Sequence, residues 1–150
     1  MNLKKILSAN VITLTLKAND KPQIIQEMLE LLVSQGKIKA SDKSGLFDAV
    51  MRRESQMSTG IQCGVAIPHG KSDLVKELVA CIAISQEGKD FDSLDQQPSH
   101  IFVMTISPQN KTGPHVQFLA EVSRLLTQET FRQQVLEAKT AQEVLSLFLD

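Results

Sequence analysis

The eight residues from Leu78 to Ser85 read LVACIAIS, an almost continuous apolar run in the middle of a 150-residue chain. A strand with one face in water alternates apolar and polar residues, whereas a strand covered on both faces is apolar at nearly every position. Two further runs have the same character, Ile101 to Ile106 (IFVMTI) and the shorter Val65 to Ile67 (VAI). These three segments predict a sheet that is buried on both sides.

The N-terminal third is predicted to hold one strand and two helices. Val11 to Leu16 (VITLTL) alternates apolar residues with Thr, which is typical of a half-buried strand. Residues 24–32 carry apolar side chains at helical spacing, between an N-cap at Asp20 and a C-cap glycine at Gly36. A second helix opens at Ser41. Its predicted buried face comprises Leu46, Phe47, Val50 and Met51.

The final third is predicted to be helical, over Pro114 to Leu126, Glu129 to Glu137 and Ala141 to Leu149. Helical patterns therefore lie on both sides of the strands in the sequence. The expected fold is an α/β domain with helix–sheet–helix layers, and the length and absence of linkers favour a single domain over residues 1–150.

Composition excludes several classes of protein. Sixteen basic residues against seventeen acidic ones give a net charge of -1, and no Trp or Tyr is present, which argues against nucleic acid and against an anionic membrane surface. No apolar run approaches the ~20 residues that cross a bilayer. The N-terminus lacks the cleavage site of a signal peptide, and two cysteines suit a reducing compartment, so a cytoplasmic protein is expected.

Residues Cys63 to Asp73 read CGVAIPHGKSD and end in Gly-Lys-Ser, as a nucleotide-binding P-loop does. A P-loop has four residues between its glycines, whereas five residues separate Gly64 from Gly70. A phosphate cradle also aims successive backbone N–H groups at the phosphates, and Pro68 has none. We therefore interpret the match as chance, and the sequence does not favour an NTPase.

The histidine inside this stretch is the stronger candidate. Pro68 favours an extended Ile67, so the preceding strand should stop there and present His69 on a loop at its end. Ligand sites of α/β sheets concentrate at such strand ends. Gly70 permits another backbone to approach closely. The alternative interpretation is a turn that merely exposes a histidine.

A second histidine and an arginine complete the candidate set. His115 falls in the first turn of the helix predicted from Pro114, where the positive end of the helix dipole disfavours the protonated ring. Arg53 lies at the end of the second predicted helix, where a guanidinium is able to grip a phosphoryl group with two hydrogen bonds. Alternatives stay open: Arg52 as the active arginine, a solvated helix end, and a first-turn histidine without a role.

Metal and thiol chemistry have weaker support. The chain contains no Cys-x-x-Cys and no His-x-x-x-His, the spacings typical of zinc ligands, so we predict neither a metal nor a cofactor. A zinc-dependent hydrolase built on His69, His115 and Cys63 is the rival hypothesis from a different class. His100 precedes an apolar strand and is expected at the surface.

The segment from Arg53 to Lys71, RESQMSTGIQCGVAIPHGK, resembles the phosphorylation-site region of the mannitol/fructose-type enzyme IIA domains of the bacterial phosphoenolpyruvate-dependent sugar phosphotransferase system. Similar segments continue through FDSLDQQPSHIFVMTISP and GPHVQFLAEVSRLL, so the resemblance covers almost the whole chain. It implies a single α/β domain with a mixed sheet and helices on both sides. Cys63 stands where the resemblance leads us to expect a polar Asn.

The resemblance also implies roles for the candidate residues. His69 matches the phosphorylated histidine, His115 the second histidine that contacts the phosphoryl group, and Arg53 the arginine beside them. The chain is then a phosphotransferase that accepts a phosphoryl group from the histidine phosphocarrier protein and passes it to a cysteine of a IIB sugar-transport component. The alternative within the family is a nitrogen-type regulatory IIA, whose phosphorylation state controls partner proteins. Neither nucleic acid nor direct membrane insertion is expected.

Overall fold

The computed structural model describes residues 2–60 and 63–150. Ile61 and Gln62, which belong to the segment from Arg53 to Lys71, lie outside the described residues. The strands are β1 (Ile12–Thr13), β2 (Val65–Ala66), β3 (His69–Lys71), β4 (Val79–Lys89) and β5 (Ser99–Ser107). The α-helices are α1 (Lys21–Ser34), α2 (Lys43–Glu54), α3 (Thr112–Leu126), α4 (Glu129–Glu137) and α5 (Ala141–Leu149).

The strands form one mixed sheet with β4 and β5 at its centre. These two strands run antiparallel, with Cys81 opposite Met104. β1 pairs in parallel with the outer side of β4. β2 and β3 follow each other along the outer side of β5, and both are parallel to it. The expectation of a mixed sheet is therefore confirmed.

Different helices cover the two faces of the sheet. Cys81 and Ala83 pack into one hydrophobic cluster with α1 and α2, while Ile82 and Ile84 pack into another with α3, α4 and α5. Successive residues of a strand point to opposite faces, so a strand between two helical layers must be apolar at every position. The predicted helix–sheet–helix layering is confirmed.

Several element boundaries agree with the sequence, and others differ. The Asp20 side chain caps α1 by accepting from the backbone N–H of Gln23 at 2.9 Å. The strand expected over residues 11–16 shortens to β1, because Ala9–Val11 forms a 3-10 turn and only Ile12 and Thr13 align with β4. α3 begins at Thr112 rather than Pro114. Among the described residues, no helix combines the length and the apolar character that crossing a membrane requires.

Pro68 interrupts strand pairing but does not end it. Its carbonyl oxygen accepts from the backbone N–H of Thr105 at 3.2 Å, and β3 resumes the pairing at the next residue. The expectation that His69 lies on a loop is therefore wrong, since His69 is the first residue of a strand. Proline lacks a donor but keeps its acceptor, so one missing N–H does not force the chain away from β5.

The expectation for His100 is also wrong. It lies inside β5 and is half-buried, and its Nδ1–H donates to the Ser85 carbonyl oxygen at 3.1 Å. Its ring packs on Gly88, where a Cβ would lie 2.8 Å from the nearest ring carbon. The polar start of β5 thus carries a histidine whose ring is hydrogen-bonded to the neighbouring strand, β4.

Gly70 brings β3 into backbone contact with α2, and it generates the first prediction. A Cβ at this position would lie 3.2 Å from the carbonyl carbon of Ala49 and 3.2 Å from the nitrogen of Val50. Because neither backbone can move without shifting a whole element, we expect Gly70→Ala to lower the free energy of unfolding by roughly 1–3 kcal/mol. Urea unfolding measures the change.

Gly113→Ala is the matched control for this substitution. A Cβ at Gly113 meets nothing within 4 Å, and alanine is the better helix former in α3. We therefore expect no loss of stability in the control. Equal stability of Gly70→Ala and the unsubstituted protein would contradict the close approach of β3 to α2.

Candidate functional site

Strand pairing fixes the backbone of His69, and the Ile67 carbonyl just before β3 fixes one nitrogen of its ring. The Cα partner of His69 in β5 is Thr105. Nδ1 of His69 lies 2.8 Å from the carbonyl oxygen of Ile67. A carbonyl oxygen only accepts, so Nδ1 carries the hydrogen and the neutral ring keeps its lone pair on Nε2. Nε2 is therefore the nucleophilic nitrogen of this histidine.

His115 lies beside His69 on the first turn of α3. The two ring centroids are 5.6 Å apart, with an angle of 61° between the ring planes. His115 is 5% exposed, and its Nδ1 lies 2.8 Å from the hydroxyl oxygen of Ser107 at the end of β5. The structure thus joins two histidines that are 46 positions apart in the sequence.

Arg53 approaches the two rings from the last turn of α2. Its Nη1 donates to the carbonyl oxygen of Met57 at 2.7 Å, which holds the guanidinium over the start of the following loop. Arg53 is half-buried, whereas Arg52 is exposed. The charge of Arg53 is also among the groups that lower the pKa of His69. Of the two arginines, Arg53 is the better candidate for contact with a group on His69.

A buried carboxylate anchors the end of α2 beside Arg53. Glu54 is 4% exposed, and its carboxylate lies 2.9 Å from the Lys21 ammonium. It also accepts from the backbone N–H of Thr59 at 3.2 Å and from the Thr59 hydroxyl. A charge is tolerated in the interior only when it is paired and hydrogen-bonded, and these partners provide both. The end of α2 is therefore not the solvated terminus that one interpretation of the sequence allowed.

His69, His115 and Arg53 line one open depression of about 370 Å³, where α2, β3 and α3 meet. The remaining residues of its wall are Ala49, Arg52, Gln56, Gly70, Lys71 and Leu119. Three residues singled out from the sequence are thus neighbours in space. Their cationic and imidazole groups converge on a volume that suits a small anionic group.

Both histidines have lowered pKa values. Burial is the main cause for His115, whose pKa falls from 6.5 to about 4, and the charges of His69 and Lys71 lower it further. Burial also lowers the pKa of His69; the hydrogen bond to Ile67 opposes this effect, and Arg53 adds to it. Both rings are therefore neutral near pH 7. From the sequence, the helix dipole was the expected reason for a neutral His115. In the structure, burial is the largest cause of its lowered pKa.

Two residues of the site were missed in the sequence. Lys71 lines the depression, and its ammonium lies 3.4 Å from the Thr112 hydroxyl in the first turn of α3. Its signal was present: side chains two residues apart in a strand share a face, so Lys71 must lie on the same side as His69. Ser107 is fully buried at the polar end of an apolar run, and only the fold reveals its contact with His115.

Cys63 lies outside the wall of the depression. It is exposed, and its φ of 61° places it in the left-handed region, followed by Gly64 at a φ of 74°. Asn tolerates this region far better than most residues, which gives a backbone reason for the Asn expected at this position.

The residues that would hold a metal are not assembled in the part of the chain that the structure describes. Over residues 2–60 and 63–150, no group of three His, Cys, Asp or Glu side chains is placed to bind one ion. Cys63 in particular does not join His69 and His115 in the wall of the depression. The geometry therefore gives the zinc-hydrolase hypothesis no ligand set.

The chain is similar to components of a sugar phosphotransferase system. A family model described as "Phosphoenolpyruvate-dependent sugar phosphotransferase system, EIIA 2" matches residues 5–150. The fructose-specific EIIA component of Haloferax volcanii is 33% identical over 95% of this chain and 92% of its own length. The fructose-specific EIIABC component of Bacillus subtilis is also 33% identical, over 98% of this chain, but the chain spans only 23% of that longer protein.

Solved structures share the fold. The nitrogen regulatory protein IIA-Ntr from Neisseria meningitidis superimposes with a TM-score of 0.88 at 27% identity, over 97% of this chain and 98% of its own. The enzyme IIAMTL of Escherichia coli, solved in complex with phosphorylated enzyme IIBMTL, gives a TM-score of 0.79 over 95% of this chain and 96% of its own. At 23% identity, the second likeness shows the fold alone.

The electrostatics of the depression generate the second prediction. Because the Lys71 ammonium lowers the pKa of both histidines, Lys71→Met should raise both values. NMR titration of the ring protons is expected to place the pKa of His115 near 4 in the unsubstituted protein and higher in the variant. Lys76→Met, an exposed lysine outside the depression, is the matched control and should change neither.

Protein stability should show the same effect. Between pH 6.5 and about 4, His115 is protonated in the unfolded chain but neutral in the folded protein. Because the unfolded state binds more protons in this window, the free energy of unfolding should fall as the pH falls through it. The fall should be smaller in Lys71→Met than in Lys76→Met. Identical titration of His115 in the two variants would contradict the assigned role of Lys71.

The backbone of Cys63 generates the third prediction. Asn adopts the left-handed region with less strain, so Cys63→Asn should raise the free energy of unfolding by about 1 kcal/mol. Cys63→Ala removes the thiol without this conformational preference, and it should give no gain. Thermal and urea unfolding of the two variants measure the difference, and equal stability of both would mean that the left-handed φ contributes nothing.

Proposed function

We propose that this chain, which belongs to the EIIA 2 family of the phosphoenolpyruvate-dependent sugar phosphotransferase system, carries a phosphoryl group on Nε2 of His69. One observation carries the proposal. The Ile67 carbonyl occupies Nδ1 of His69, which leaves the lone pair of a neutral ring on Nε2, with His115 only 5.6 Å away between ring centroids. A nucleophilic imidazole needs this neutral form and a fixed tautomer.

The chemistry is a direct displacement at phosphorus. The Nε2 lone pair of His69 forms the new N–P bond, while the bond between phosphorus and the donor atom breaks and its electron pair returns to the donor. The Arg53 guanidinium and a hydrogen bond donated by His115 stabilise the negative charge on the equatorial oxygens. Such a reaction depends on positioning and on charge stabilisation more than on covalent machinery. His69 gives the phosphoryl group to its acceptor by a second displacement, in which the acceptor atom forms a bond to phosphorus while the N–P bond breaks and its electron pair returns to Nε2.

The proposed donor is the histidine phosphocarrier protein, and the proposed acceptor is a cysteine of a IIB sugar-transport component of the fructose or mannitol class. Both 33% identical relatives are named as fructose-specific components, which supports this direction. The open depression also supports it, because two macromolecular partners must reach the same nitrogen in turn. The chain would then act as a phosphotransferase through a phosphohistidine intermediate, in the cytoplasm and as one domain over residues 1–150.

The alternative is a nitrogen-type regulatory role, in which the phosphorylation state of His69 controls partner proteins. The likeness to the nitrogen regulatory protein of Neisseria meningitidis favours it, because that structure matches along almost the full length of both chains. The phosphorylated site would be the same in both roles. The difference lies in what the phosphorylated chain meets next.

Radiolabelled phosphoenolpyruvate, together with the general phosphocarrier enzymes, tests the fourth prediction. The unsubstituted protein should take up an acid-labile label, and His69→Ala should take up none, because the substitution removes the nitrogen proposed to accept the phosphoryl group. His115→Ala and Arg53→Met should label at least tenfold more slowly, since each removes a group that stabilises the transferred charge. His100→Gln is the matched histidine control and should label normally.

Label on His69→Ala would overturn the proposal. Purified labelled protein separates the two roles when it is mixed with a IIB component of the fructose or mannitol class. Rapid passage of the label to the IIB cysteine supports the transport role. Retention of the label beside every such IIB component, with partners that bind only one of the two phosphorylation states, supports the regulatory role.

A further inference from the structure

We propose that Ser107 is a positioning residue that fixes the tautomer of His115, so that this ring presents Nε2–H to the phosphoryl group on His69. The inference rests on the proposed function for its chemical meaning, but it concerns a hydrogen position that is measurable in the unphosphorylated protein. Ser107 lies at the end of β5, and its hydroxyl oxygen is 2.8 Å from Nδ1 of His115.

The direction of this hydrogen bond follows from what surrounds Ser107. Its side chain is fully buried, and among the described residues Nδ1 of His115 is the one recorded partner of its hydroxyl. If Nδ1 carried the hydrogen, it would donate to the hydroxyl oxygen, and the hydroxyl hydrogen would be buried without an acceptor. Buried donors are almost always paired. The hydroxyl therefore donates to Nδ1, and the ring hydrogen of neutral His115 lies on Nε2.

Nε2 of His115 is also the nitrogen that faces the depression. Among the described residues it has no recorded hydrogen-bond partner, and no buried side-chain nitrogen or oxygen there is left unpaired, so Nε2 is not enclosed. The surface that His115 offers to the outside is the wall of the depression it shares with His69 and Arg53. A donor at this nitrogen is able to reach an oxygen of a group carried on His69.

The two histidines are therefore held in opposite tautomers, one by a hydrogen-bond acceptor and the other by a hydrogen-bond donor. The Ile67 carbonyl accepts from Nδ1 of His69, which makes Nε2 of that ring a nucleophile. The Ser107 hydroxyl donates to Nδ1 of His115, which makes Nε2 of that ring a donor. The assignment explains how one site obtains a lone pair and a hydrogen-bond donor from the same kind of side chain, with both rings uncharged.

Two substitutions with the same shape test the fifth prediction. Ser107→Thr keeps the hydroxyl, whereas Ser107→Val replaces it with a methyl group, and both add the same bulk to a strand that favours β-branched residues. Long-range ¹H–¹⁵N NMR spectra of the imidazoles should show protonated Nε2 at His115 in the unsubstituted protein and in Ser107→Thr. In Ser107→Val the two nitrogens of His115 should shift toward an average of both tautomers, with the His69 spectrum unchanged.

Phosphoryl transfer should follow the tautomer. We expect the labelling rate of Ser107→Val to be roughly tenfold below that of Ser107→Thr, as is typical when a hydrogen bond made in the transition state is lost. The final extent of labelling should stay the same, because His69 is intact. A change in folding alone would alter the His69 spectrum as well, which the tautomer assignment does not predict.

Two results would overturn the inference. One is protonated Nδ1 at His115 in the unsubstituted protein, which needs no variant to fold. The other is a labelling rate in Ser107→Val equal to that in Ser107→Thr. Failure of the proposed function is a separate outcome, since the unsubstituted protein would then take up no label at His69 while the tautomer of His115 stayed as assigned.

Discussion

The last three residues of β5 hold both histidines of the site. Thr105 pairs with His69 across the parallel contact of β3 and β5, and the hydroxyl of Ser107 binds the ring of His115. One strand at the centre of the sheet therefore sets the distance between two residues far apart in the chain. β5 has its own fixed place, because it pairs with β4 along almost its whole length and lies between two helical layers. The spacing of the two histidines is therefore set by contacts with a strand in the core of the sheet.

The third element of the site depends on a different interaction. α2 reaches the site through its last turn, and the ion pair between Glu54 and Lys21 fixes that turn to the start of α1. A buried carboxylate loses the solvation of water, so removing one of its partners leaves a charge that the interior does not tolerate. Arg53 precedes Glu54 in the same turn, so the ion pair also fixes the backbone of Arg53. Its guanidinium donates to the Met57 carbonyl and lines the same depression as the two rings.

Much of the fold could be predicted from the sequence, because its signals are local. Continuous apolar runs identified the buried strands, and the caps at Asp20 and Gly36 framed α1. The three candidate residues were singled out by local patterns as well: a Pro-His-Gly stretch, a histidine at a helix start and an arginine at a helix end. The structure brings these residues together in one depression, and their chemical roles stay a prediction. What failed was pairing across distance. Nothing within β3 indicates that strand pairing resumes after Pro68, since that depends on the free edge of β5. The sequence around Ser107 contains no local pattern that predicts its hydrogen bond to His115. The position of Lys71 beside His69 can be predicted, but only once His69 is known to lie in a strand.

The openness of the depression has a consequence for the lifetime of the proposed intermediate. His69 is half-buried and lines an open depression, so its ring is accessible both to partner proteins and to solvent. A phosphoryl group bound to His69 would be in contact with bulk water for its whole lifetime. Spontaneous hydrolysis then runs in competition with delivery, and the signal or energy that the group carries persists only as long as encounters with the next protein outpace that leak.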